Sequence, residues 1–160
     1  MQHLIITLLM LFSTVANPEN HLPEDLRNDF VAKINRVRQS GCYCGRYWMP
    51  SVPPLTWNDT LYESALHHAK EMHKYGFFAH YSITGKNIGT RLSEFGYDWQ
   101  MAGENIGEGQ DNFDEVLEDW INSRSHCRML MSPKVTEVAV ARYGKFWVQH
   151  FGKKMPSKRK

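Results

Sequence analysis

The sequence predicts an α+β domain in stacked layers, helices first and a small antiparallel sheet after them. Three observations carry this expectation. Apolar residues recur at helical spacing through the first two thirds of the 160 residues, and the last third switches to alternation. No regular strand–helix–strand repeat is present to build a parallel sheet.

Taken in order, Pro23 to Gln39 places Leu26, Phe30, Ile34 and Val37 on one stripe, with Pro23 near the start and Gly41 past the end. Gly41 to Leu55, GCYCGRYWMPSVPPL, is dense in Gly and Pro and reads as a loop. Asn58 is a good N-cap for a second helix with Leu61, Ala65, Leu66, Ala69 and Met72 inside and Gly76 as its stop. A shorter helix is expected over Ile88 to Gly96. Asp111 or Asn112 caps a fourth, where Val116, Leu117 and Trp120 share a face. Val135 to Tyr143 and Lys145 to Phe151 alternate and are rich in β-branched and aromatic residues; joined by Gly144 they read as a hairpin. Met101 to Glu108, MAGENIGE, supplies a third strand, expected at the centre of the sheet.

The bulk properties bound the function. Residues 1–16 hold a short apolar run from Leu4 to Phe12 followed by small residues, the pattern of a cleaved secretory signal; a buried or retained N-terminal helix is the alternative. One domain is expected over 17–152, exported from the cell (periplasmic in a Gram-negative source), monomeric, and without a transmembrane segment. A net charge of +2 gives no case for a nucleic-acid partner. The basic residues cluster only in the tail 153–160, KKMPSKRK, read as a solvated terminus. Cys42, Cys44 and Cys127 fit one disulfide and one spare thiol. Cys42 and Cys44, separated by a single residue, would bridge each other only with strain, so either one linked to Cys127 is the better geometry. Three Cys without C-x-x-C spacing do not make a zinc site.

Chemistry-bearing residues are few. The run Gly103 to Gln110, GENIGEGQ, matches neither phosphate-binding glycine pattern. Of eight histidines, His67, His68 and His73 lie on the second helix among Glu63 and Glu71, where solvated polar pairs are the ordinary outcome. His150 alternates along a strand and reads as a satisfied, half-buried histidine. His80 and His126 stand at element ends where a side chain can project into a cleft, and Glu104 is a carboxylate able to orient either imidazole or to complete a metal site. Ser82, Ser123 and Ser125 flank these histidines without a G-x-S-x-G motif, so no nucleophile is identified.

Five ordered blocks carry a family resemblance: PPLTWNDTLYESALHHA, GFFAHYSITGKNIGTRLSEFGY, AGENIGEGQ, VLEDWINSRSHCRMLMSP and TEVAVARYGKFWVQHFG. Together they resemble the CAP superfamily, or SCP domain, of cysteine-rich secretory, antigen 5 and pathogenesis-related 1 proteins, in its short bacterial branch. The resemblance implies a three-layer α-β-α sandwich and a Cys44–Cys127 disulfide that leaves Cys42 free. It implies a cleft of two His and two Glu able to hold a divalent cation such as Zn2+. His80, Glu104 and His126 fill three of those places, the fourth falls on Ser123, and Glu137 is the only substitute suggested. The expectation is a secreted binding module for a metal, a small molecule, a lipid or a cell-envelope or host component. The alternative is a hydrolase using His80, Glu104 and His126.

Overall fold

The computed structural model describes residues 22–156. The signal segment and the last four residues of the tail lie outside the described residues. Helix α1 spans Glu24–Ser40, and a hairpin of β1 (Cys42–Cys44) and β2 (Tyr47–Met49) follows. Then come β3 (Thr56–Trp57), α2 (Asp59–Tyr75), α3 (Ile88–Glu94) and β4 (Trp99–Glu108). Helices α4 (Phe113–Asn122) and α5 (Arg124–Leu130) precede β5 (Glu137–Tyr143) and β6 (Phe146–Lys154).

The principal sheet has the order β3-β5-β6-β4. Its long pairings are antiparallel, while the two-residue β3 joins β5 in parallel. Strand β4 is therefore an edge strand and not the central one. Period-two alternation splits β5 and β6 between two cores. Val138, Val140, Trp147 and Phe151 pack with Phe30, Ile34, Val116 and Trp120 of α1 and α4. Ala139, Ala141, Phe146 and Val148 face the other way, against Leu61, Ala65, Ala69 and Met72 of α2. Helices thus cover both faces of the sheet, the α-β-α sandwich that the resemblance implied.

Local signals explain most boundaries. Asn58 accepts a hydrogen bond from the Leu61 N–H at 3.1 Å, and Gly76 closes α2 in the left-handed region at φ 66°. Asn112, rather than Asp111, caps α4. On α1, Phe30 and Ile34 are buried as expected, but Leu26 is exposed and Arg38 is fully buried instead. Arg38 donates to the carbonyls of Pro53, Leu130 and Ser132, tying α1 to the end of α5. With no acid among these partners, burial lowers its pKa from 12.5 to about 10.

The expected loop after α1 contains the β1–β2 hairpin. Cys44 and Cys127 form the disulfide that fastens this hairpin to α5, with Cα atoms 5.4 Å apart.

Candidate functional site

The site is built around one buried carboxylate. Glu104 lies on β4 directly opposite His150 of β6, so both side chains project from the same face of the sheet. Its side chain is 2% exposed. His150 donates from Nε2 to Glu104 Oε2 at 2.9 Å, and Arg91 of α3 donates from Nη2 to the same oxygen. His80 donates from Nδ1 to Oε1 at 2.8 Å. Because an ionised carboxylate only accepts, these contacts place the proton of His150 on Nε2 and that of His80 on Nδ1.

Burial disfavours the charged form of Glu104. Hydrogen bonds from His150 and His80, with the charge of Arg91, outweigh it and hold the carboxyl well below its ordinary range. The opposite holds for the buried imidazoles: desolvation lowers the pKa of His150 and of His68. Glu104 is thus ionised against the Arg91 guanidinium, and His150 stays neutral, its Nδ1 buried without a partner.

Arg91 also fixes the loop that carries His80. Its Nη1 donates to the carbonyls of His80 and Lys86, each at 2.9 Å. Between those carbonyls, Ser82 accepts the Gly85 N–H at 2.8 Å, and Gly85 turns at φ 78°. His68 of α2 donates from Nε2 to the Ala79 carbonyl at 2.9 Å, holding the start of the same loop. Glu71 lies 3.4 Å from His68 Nδ1 and accepts the Ile83 N–H. The acid one turn along α2 thus lies beside His68 rather than His67, and its hydrogen bond is to the Ile83 N–H. With the loop held in this way, the His80 ring is bonded through Nδ1 to Glu104, and its side chain is 52% exposed.

His126 approaches from the other layer. It sits on α5, and its backbone carbonyl accepts from Asn105 Nδ2 at 3.2 Å. Glu104 and Asn105 are consecutive on β4 and project to opposite faces, so one holds His80 and the other positions His126. Gly103 and Gly107 share the Asn105 face and make room for the helices. A Cβ on Gly103 would overlap the Met129 Sδ, and one on Gly107 would lie 2.6 Å from Val116 Cγ2. Burial lowers the His126 pKa, and the charge that His80 carries when protonated lowers it further. Beside His126 is a recess of about 340 Å3 lined by Phe78, Ile106, Glu108, Asp119, Trp120 and Ser123.

The remaining candidates lie elsewhere. Glu137 accepts from Asn58 Nδ2 at 2.9 Å and from the Tyr97 hydroxyl at 2.5 Å, so its oxygens serve β3 and α3–β4 connections rather than either histidine. Ser123 pairs its hydroxyl with Ser125 at 3.5 Å and not with His126. Sequence reasoning missed Arg91 and the role of His150. A cation on the inner stripe of a short helix with Ile88 and Leu92 was the available signal for Arg91. His150 read as half-buried and satisfied; it is fully buried and bonded through one nitrogen only.

Among the described residues, no helix is long and apolar enough to cross a membrane. The chain is 33% identical over 102 residues to the uncharacterized protein YkwD of Bacillus subtilis, covering 62% of this chain and 40% of that protein. The chain therefore spans less than half the length of that relative. Among solved structures, an extracellular protein containing a SCP domain from Bacillus anthracis superposes with TM-score 0.67 at 28% identity, over 84% of this chain and 45% of that one. An outer surface protein of Borrelia burgdorferi shares the fold, with TM-score 0.69 at 20% identity over 82% of this chain and 94% of that one. The sequence model described as CAP, the cysteine-rich secretory protein family, matches residues 31–151. With its five motif blocks, its two-sided sandwich and its disulfide in place, the chain belongs to the CAP family.

Proposed function

We propose that this chain is an extracellular binding module whose cleft takes a small ligand or a divalent cation such as Zn2+ on the imidazoles of His80 and His126. One observation carries the proposal: Glu104 ties down His80 Nδ1, which leaves Nε2 as the ring nitrogen open to a ligand on a half-exposed side chain.

The full set of two His and two carboxylates does not match the residues present. Both Glu104 oxygens are already engaged, and Ser123 stands in the fourth place. Among the described residues, His80, Glu104 and His126 do not offer three ligand atoms within 4.8 Å of one another. Glu104 is therefore the orienting carboxylate, and His80 and His126 are the residues that would hold a cation. A cation bound there would act as a Lewis acid toward an oxygen donor of a second ligand. The wall of Phe78, Ile106 and Trp120 suits an apolar, lipid-like body next to that polar end. A hydrolase needs a base or nucleophile free to react, and the carboxylate best placed for that is committed to three donors.

Calorimetric titration with Zn2+ tests the proposal on the wild type and on the His80→Ala/His126→Ala double variant, with circular dichroism confirming that both fold. The expected result is binding by the wild type and at least about a tenfold loss in the double variant. Equal affinity in the two proteins overturns it. Turnover of peptide or ester libraries that is lost with chelator and with Glu104→Gln would favour the hydrolase.

A further inference from the structure

The cleft makes no use of the thiol of Cys42. Cys42 and Cys44 lie two residues apart on β1 and face the same side of the hairpin, toward Cys127 on α5. Cys42 Sγ is 3.6 Å from Cys127 Sγ, and all three sulfurs lie within 4.8 Å of one another. Since Cys44 and Cys127 are already joined, this cluster is not a three-thiolate metal site. It is a thiol held against a disulfide.

We propose that Cys42, Cys44 and Cys127 form an intramolecular thiol–disulfide exchange site, in which Cys127 trades its partner between Cys44 and Cys42. The Cys42 thiolate attacks Cys127 Sγ. The Cys42–Cys127 bond forms as the Cys44–Cys127 bond breaks, and the electron pair leaves on Cys44 Sγ, which takes up the proton that Cys42 released. One disulfide and one thiol exist before and after, so no oxidant or reductant is consumed.

The two isomers differ in what they show to solvent. With Cys44 linked, the spare thiol is the partly exposed Cys42. After exchange it is Cys44, whose position is fully buried. A low-molecular-weight disulfide in the medium can therefore capture Cys42 only in the first form, leaving a mixed disulfide and releasing one small thiol. The capped Cys42 can no longer attack. Burial raises the Cys42 thiol above its ordinary pKa, so exchange runs slowly at neutral pH and faster in alkali. Cys127 directly follows His126, and a change of partner resets the hairpin against the helix that bears the cleft histidine.

Two measurements on the full chain test the proposal. Wild-type protein held at pH 7 or pH 9 is quenched with acid, denatured, blocked with N-ethylmaleimide and cleaved at Arg and after Tyr43, which separates the two cysteines. Mass spectrometry should find a Cys42–Cys127 fragment beside the Cys44–Cys127 one, and Cys42→Ser should abolish it. Oxidised Cys44→Ser protein should keep one disulfide, now Cys42–Cys127, and show no free thiol. Cys44–Cys127 as the sole linkage at both pH values overturns the proposal, as does a folded Cys44→Ser variant with two free thiols. Should that variant not fold, the wild-type mapping decides alone.

Discussion

Replacing Glu104 by Gln tests the electrostatic reading of the site most directly. The substitution keeps the side-chain shape but removes the charge that faces Arg91, and it turns one acceptor into a donor among three donors. Arg91 is 2% exposed and cannot regain water in exchange. Breaking a buried pair from one side costs about 3–5 kcal/mol, because the remaining charge is left without its partner. Two carbonyls, of His80 and Lys86, still accept from Arg91 at 2.9 Å, which places the expected loss at the lower end, about 3 kcal/mol. Against a total stability of about 5–15 kcal/mol for such a domain, this is a large shift in a guanidinium chloride midpoint at pH 7. An internal comparison is provided by Glu108→Gln, which breaks the exposed pair with Lys145 at 2.6 Å and should cost no more than about 1 kcal/mol. A Glu104→Gln loss as small as that of Glu108→Gln would refute the claim that a buried ion pair organises the cleft.

Two further outcomes follow from the same geometry. The pKa values of His68 and His150 are lowered by burial from 6.5, so the unfolded chain takes up protons first as pH falls. Stability measured with chelator present should therefore decline as pH drops through about 6.5, by up to about 1.4 kcal/mol per pH unit for each histidine, and a flat or rising profile between pH 7 and 5 would contradict this. Gly107→Ala would push a Cβ to 2.6 Å from Cγ2 of the fully buried Val116, costing about 1–3 kcal/mol in a urea titration; a loss near zero would show that α4 yields easily.

What the sequence disclosed depended on how local the cause was. Helix α2 was legible because its cap, its apolar stripe and its stop all lie within the segment itself, and Asn58, Met72 and Gly76 each do what their residue type predicts. The β5–β6 hairpin was legible for the same reason, through alternation across a short turn. Helix α5 was not, since seven residues give less than two turns of periodicity. The β1–β2 strands, three residues each, sit in a Gly- and Pro-rich stretch that reads as a loop. The edge position of β4 was also hidden, because strand order is set by tertiary packing and the period-two pattern is the same at centre and edge. The motif resemblance singled out His80, Glu104 and His126, of which the structure joins His80 to Glu104. The grip of Arg91 and His150 on Glu104 joins residues 13 and 46 positions apart, and no local pattern encodes that.

The adjacency of Glu104 and Asn105 on an edge strand has a mechanical consequence. Among the described residues, strand β4 pairs only with β6, in a register that sets Glu104 against His150. Sliding that pairing by one residue would turn every β4 side chain to the opposite layer. Asn105 would then face His80 and Arg91, and Glu104 would point at the His126 carbonyl, so both histidines would lose their supports together. On the function proposed above, the cleft would therefore work as a gauge of strand alignment: a ligand that needs both imidazoles would bind only the chain whose edge strand is in step.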